Sequence, residues 1–224
     1  MLNRIFRRLL QFVIALTALL SLAHPAAAAP VEPATVATYR LTIQNLARKQ
    51  AFSPPLVVVH GANYHLFQVG ARASDGLRLI AEEGNTGVAV RAARASKGVV
   101  TVQATRSVIA PGRSLTIQFH ASPGSLVSLA TMLEQTNDGF TGVDARALPV
   151  QGARTISLVA YDAGTEANNE LATHVPGTPF AGFRRAPTSK LITRHAGIQG
   201  VGDLKASAWN WQNPVALLTI ERVR

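Results

Sequence analysis

The feature that most restricts the fold of this chain is a two-residue alternation of apolar and polar side chains, repeated in short runs with turn residues between them. Tyr39-Arg-Leu41-Thr-Ile43, Val100-Thr-Val102, Leu115-Thr-Ile117-Gln-Phe119, Ile156-Ser-Leu158-Val-Ala160 and Leu218-Thr-Ile220 all carry it. A period of two puts every second side chain on one face of an extended strand, and many such runs at intervals of ten to twenty residues predict stacked antiparallel sheets. Leu56–Val59, after Pro54-Pro55, is a continuous apolar run that reads as a buried strand. Only Asp75–Glu83 has a helical pattern, with Leu77, Leu79, Ile80 and Ala81 on one side and Gly84-Asn85 as a stop signal. The expectation is an all-β fold, an antiparallel two-sheet β-sandwich with one short helix. The first and last strands, 39–45 and 214–221, belong to that sandwich, although the sequence does not say which strands pair.

A secretory leader precedes this pattern. Arg4, Arg7 and Arg8 are followed by the apolar stretch Leu9–Ala23 and then by the small-residue run Ala26–Ala29. Charged, apolar and small-residue segments in that order form a signal peptide, with cleavage within Ala27–Ala29. The apolar stretch is shorter than the roughly 20 residues that span a bilayer. The expected organisation is a signal peptide over 1–29, a mobile lead-in over 30–37 and one domain over 38–224. No repeat or low-complexity linker divides that domain. The mature protein is then exported to the periplasm or beyond the cell, with no stable membrane span after cleavage.

Composition narrows the chemistry. There is no cysteine, which excludes disulfides, thiolate metal sites and cysteine nucleophiles. Hydrophobic residues make up 47% and charged residues 15%, values of a globular chain rather than a disordered one. Three of the 22 Lys and Arg and none of the 12 acids lie in the leader, so the remainder carries +7. That surface favours anionic partners. The absence of basic runs longer than two residues and of basic–aromatic clustering argues against nucleic acid.

With so few acids, their clustering carries information. Asn137-Asp138-Gly139, Asp162-Ala-Gly-Thr-Glu166 and Asn168-Asn169-Glu170 hold the main groups. Phe140–Leu148 reads as a strand, Pro149–Gly152 as a turn and Thr155–Tyr161 as the returning strand. In that hairpin Asp138, just before the first strand, and Asp162, just after the second, reach the same pole. Glu166 follows in a Gly-containing loop. Hard oxygen ligands converging from two loops suit Ca²⁺, which takes six to eight oxygens at about 2.3–2.6 Å. The alternative for the same residues is an ordinary Asp138-Gly139 turn, with Asp162 opening a turn by capping backbone N–H groups.

The stretches Met132–Asp144 and Ala160-Tyr-Asp162-Ala-Gly-Thr-Glu166 resemble the spondin domain, the module of F-spondin and mindin. The shared pieces are an Asp-aromatic-x-Gly-Val stretch, here with Gly139 between Asp138 and Phe140, and Tyr-Asp-Ala-Gly-Thr-acid one strand later. Tyr39–Ile43 and Pro214–Ile220 are similar to the family's first and last strands, so the resemblance spans roughly 36–223. It implies a C2-like sandwich with a divalent cation, calcium, held in loops at one end by Asp138, Asp162 and Glu166. Eukaryotic relatives usually have Asp at the last position, and Glu reaches about one methylene farther. Asn169 and Glu170 are local candidates without family support.

Other motifs carry less. His60, His65, His120, His174 and His195 show no spacing that puts two imidazoles on one metal. His60 and His120 read as strand ends, and His195 is a candidate accessory ligand or base. Gly197, Gly200 and Gly202 do not follow the dinucleotide pattern and read as a loop needing positive φ. Trp209 and Trp211 read as core packing before the last strand, with sugar stacking the alternative. Two functions follow. One is a non-catalytic, calcium-binding adhesion module for an extracellular or cell-surface ligand such as an anionic glycan. The other is a metal-dependent periplasmic hydrolase using the same acidic loops and His195.

Overall fold

A computed structural model describes residues 36–182 and 184–223; the leader and most of the lead-in lie outside the described residues. The strand β1 (Ala37–Asn45) alternates buried and half-buried positions along its whole length, as its two-residue period requires. It sits between β4 (Ser114–Ala121) and β10 (Ala216–Arg222), and β10 in turn pairs with β7 (Ala153–Leu158). The first and last strands are thus hydrogen-bonded neighbours, antiparallel, with Tyr39 opposite Arg222 and Asn45 opposite Ala216.

The second sheet has six strands. Their order is β3 (Val99–Ala104), β2 (Leu56–His60), β5 (Leu126–Met132), β6 (Gly139–Ala147), β8 (Ala160–Asp162) and β9 (Thr193–Arg194). All neighbouring pairs are antiparallel. The fold is the antiparallel two-sheet sandwich expected from the sequence. Tyr39, Leu41 and Ile43 from one sheet meet Val57, Val59 and Leu129 from the other in the central core.

The inner strands of the six-stranded sheet are buried on both faces. Leu56, Val58, Ala130 and Phe140 point away from the central core and pack under Leu77 and Ile80 of α1 (Asp75–Glu83). This explains why β2 is apolar without alternation, and why β5, Leu-Val-Ser-Leu-Ala-Thr-Met, lacks a polar face. Each fully buried large apolar side chain contributes about 1.5–3 kcal/mol.

The helix α1 begins at Ser74, whose hydroxyl accepts from Leu77 N, and ends at Gly84, which has φ +66° and donates to the Ile80 carbonyl. A second helix, α2 (Gly87–Ala95), covers the same sheet and was not expected. Its inward positions are the small residues Ala89 and Ala93, so it lacks the large apolar stripe by which a helix is recognised. It rests on α1 where that helix has no side chain, since a Cβ on Gly76 would lie 2.8 Å from Ala89 Cα. A four-residue helix, α3 (Ala206–Trp209), precedes the last strand.

The anticipated hairpin is replaced by a change of sheet. The chain leaves β7 in the first sheet, passes Val159, and enters the second as β8 beside β6. Gly139 lies opposite Asp162, Phe140 opposite Tyr161 and Thr141 opposite Ala160. Thr141 Oγ1 donates to the Val159 carbonyl at the crossing point. The start of β6 and the end of β8 therefore share a pole, by a route other than a hairpin.

Gly142 explains one residue of the Asp138–Asp144 stretch. A Cβ there would meet the Leu129 carbonyl oxygen at 2.0 Å, across the β5–β6 pair, and backbone cannot yield cheaply. Gly142→Ala is expected to destabilise the protein by about 3 kcal/mol or more. Urea unfolding checks this, and a midpoint equal to the parent's would show that the two strands can part without loss.

Candidate metal centre

Asp138 ends a tight turn between β5 and β6. Thr136 Oγ1 donates to the Leu133 carbonyl and accepts from Gly139 N at 2.9 Å. A Cβ on Gly139 would come within 2.6 Å of that hydroxyl, which is why glycine separates Asp138 from Phe140. Two amides lock the turn from outside: Gln135 N donates to Gln50 Oε1, and Ala51 N donates to Gln135 Oε1. Asn137 Oδ1 accepts from Glu170 N, and Asn137 Nδ2 donates to Asn169 Oδ1. Residues 135–138 are all buried, so Asp138 is held by satisfied polar neighbours rather than by solvent.

The loop after β8 closes over it. Asp138 Oδ2 accepts from Thr165 N at 2.7 Å, Thr165 Oγ1 at 3.2 Å and Glu166 N at 3.0 Å. Its other oxygen, Oδ1, is buried and finds no hydrogen-bond partner among the described residues. Burial, then the negative charge of Asp162, pushes the Asp138 carboxyl up to about 6 despite the three donors. Asp162 is half-buried. Its Oδ1 accepts from Gly164 N at 2.6 Å and its Oδ2 from Asn168 Nδ2 at 2.5 Å. It opens a turn by capping backbone, and it pairs across the strands with Gly139, next to Asp138 in the chain. Gly164 has φ +72° and approaches the Lys190 carbonyl so closely that a Cβ would lie 2.8 Å away.

Asp138 and Asp162 are thus brought together, whereas the carboxylate of Glu166 is engaged elsewhere. Its Oε1 lies 3.3 Å from Arg185 Nε, beside Glu82 of α1. Burial first, then the Glu82 charge, pushes the Glu166 carboxyl up to about 7, with Arg185 pulling it down. Glu82 itself is buried and takes a two-pronged contact from Arg185 Nε and NH2, each at 2.7 Å, together with Arg78 NH1 at 3.0 Å. Sequence reasoning missed Glu82 and Arg185. They lie 103 residues apart, and a glutamate in an amphipathic helix carries no mark of burial.

Glu170 has a structural task. Its carboxylate accepts from Gln199, Gly200 and Val201 N–H groups, so the glycine-rich 197–202 segment wraps an anion of the protein itself. Gly197 and Gly200 have φ +85° and +80°, the positive values expected of that loop, whereas Gly202 does not and is glycine because a Cβ there would lie 2.3 Å from the Asn169 carbonyl oxygen. His195 packs against Trp211 with ring centroids 5.1 Å apart and planes tilted by 56°, and is buried. Its Nδ1 accepts from Gly197 N, which leaves the proton on Nε2. Burial pushes its pKa down, against the charges of Asp162 and Glu170. Nε2 is a buried donor without a partner among the described residues; in this tautomer the ring offers a proton rather than a lone pair. Trp211 is buried as expected, while Trp209 closes α3 and packs on Phe180.

Among the described residues no three or more His, Asp or Glu side chains form a group able to hold a metal ion. The fit to a cation rests on Asp138 and Asp162. A hard cation at Oδ1 would satisfy this orphaned carboxylate oxygen and offset the effect of the Asp162 charge. The remaining ligand positions of such an ion fall to water or backbone carbonyls.

No curated protein matches the chain. The family model described as Spondin_N matches residues 42–186, more than half of the sequence and the whole of the Asp138–Glu166 region. The chain belongs to the Spondin_N family.

Proposed function

We propose that this chain is an exported, non-catalytic module that binds a divalent cation, calcium, through Asp138 and Asp162, and presents the surrounding loops to an extracellular or cell-surface component. The observation that carries this reading is the buried, unpartnered Oδ1 of Asp138 beside a second carboxylate. An uncompensated buried carboxylate is costly, and an oxygen-seeking cation is the ligand that removes the cost. The donor set, all oxygen and without thiolate, favours calcium over transition metals. The sequence leader supports export. The positive surface favours an anionic glycan as partner, and the resemblance to animal adhesion proteins points the same way.

Two measurements test the cation. After chelation, adding Ca²⁺ to a hundredfold excess over its dissociation constant is expected to raise the unfolding midpoint by roughly 5–10 °C. Asp138→Asn removes that response, and an unchanged midpoint in the parent overturns the reading. The second is pH dependence in chelator. A carboxyl whose pKa is raised by folding stabilises the protein below its ordinary value near 4, and that stabilisation is lost as pH rises through the folded value, about 6 for Asp138. The parent therefore loses stability relative to Asp138→Asn between pH 4 and 7.5, by on the order of 2 kcal/mol. His195, with its lowered pKa, has the opposite slope and is common to both proteins, so it cancels in the difference. Parallel stability curves for the two proteins would contradict the assigned burial of this charge.

A further inference from the structure

A cleft of about 540 Å³ opens where the chain leaves β1 and where it enters β10. Leu46 and Arg48 line one side and 210–214 the other, and no carboxylate is among them. Asn210 Oδ1 accepts from Trp211 N at 2.9 Å, and Asn213 Oδ1 accepts from Ala160 N at 3.0 Å. A backbone N–H can only donate, so each amide turns its oxygen to it and keeps its NH₂ group free. Those two NH₂ groups, the Gln212 amide and the exposed Arg48 guanidinium have no hydrogen-bond or ion-pair partner among the described residues. The walls are fixed before any ligand arrives. Leu46 N donates to the Val215 carbonyl, and Gln50 Nε2 donates to the Trp209 carbonyl at 3.1 Å. Gln50 Oε1 also accepts from Gln135 N, which ties the cleft to the turn that carries Asp138.

We propose that this cleft takes an acidic sugar residue of a polysaccharide, its carboxylate or sulfate on Arg48 and its neutral oxygens on the amides of Asn210, Gln212 and Asn213. This rests on the anionic-glycan reading above. The lining decides the class of ligand. One fixed cation among several neutral donors matches one charged group among several hydroxyl and ring oxygens, whereas a bare inorganic anion would leave the amides idle. Two further exposed cations adjoin the same segments in the chain: Lys49, over the Trp209 ring at 5.5 Å, and Lys205, at the start of α3. They suit the next acidic groups along a polysaccharide. Trp211 is only 9% exposed, so it offers no free face on which a nucleic-acid base would stack. Recognition falls to the polar donors.

The test is a fluorescence titration of the full chain in calcium-containing buffer at physiological salt. Both tryptophans of the chain belong to this region, Trp211 in the lining and Trp209 beneath Lys49, so the signal is local. The probes are a heparin hexasaccharide, an unsulfated oligogalacturonate and neutral dextran. A saturable change is expected with heparin and none with dextran; oligogalacturonate binding as well identifies a carboxylate as sufficient, and its failure identifies a sulfate ester. Arg48→Gln is expected to weaken binding about tenfold or more, the size of one charge-assisted hydrogen bond. Gln212→Ala is expected to weaken it about threefold. Arg91→Gln, which removes an equal and exposed charge from α2, is expected to change it less than about twofold. Heparin binding that Arg48→Gln leaves unchanged, or that Arg91→Gln weakens equally, overturns the cleft and leaves the glycan reading standing. Absence of binding to both anionic oligosaccharides overturns both.

Discussion

The contact on which the rest of the site depends is the one between Asp138 Oδ2 and the Thr165–Glu166 backbone. Three donors from a loop that begins 27 residues later converge on a single carboxylate oxygen. Hydrogen bonds to a charged acceptor are worth about 1.5–3 kcal/mol each, enough to hold a buried carboxylate against much of its desolvation cost. They also fix its orientation. With Oδ2 saturated, Oδ1 is left buried without a partner among the described residues, and the Asp162 charge acts on the same carboxyl. The buried turn over 135–138 and the glycine at 139 supply one half of this arrangement, and the turn opened by Asp162 supplies the other.

The remaining acids at this end of the molecule are resolved in different ways. Glu170 is wrapped by three backbone N–H groups, Glu82 is held by two arginines, and Asp162 caps Gly164 and accepts from Asn168. Asp138 and Glu166 are left underserved, and they are joined by the Glu166 N–H. The least compensated carboxylates of this region are thus two that a backbone hydrogen bond connects.

Much of this was legible in the sequence, for definite reasons. Alternation at 39–43, 115–119 and 218–220 identifies strands because each has one face on the core. The Gly84-Asn85 stop ends α1 because it answers the unpaired backbone groups of a helix end. Asp138 and Asp162 were placed at one pole on the premise of a hairpin. The pairing of β6 with β8 keeps that result although β7 goes to the other sheet. What could not be read depends on tertiary packing. The helix α2 buries only alanines, β5 is covered on both faces, and the Glu82–Arg185 contact joins residues that no local spacing connects. The glutamate at 166 was visibly longer than an aspartate, but which way the extra methylene would carry its charge is decided by Arg185.

The proposed binding of a cation by a chain of net charge +10 looks contradictory until distance is taken into account. At physiological salt the Debye length is about 8 Å, so exposed arginines elsewhere on the surface hardly register at the pole. Charges in contact are a different matter, because buried or half-buried pairs interact through a medium of much lower polarity than water. Of the described basic side chains, Arg185 is the one whose guanidinium touches a carboxylate of the Asp138–Glu166 group. Net charge and local affinity are therefore set by different residues. The distant surface carries the net charge, while a single guanidinium, shared between a helix and a loop, offsets part of the Glu166 charge.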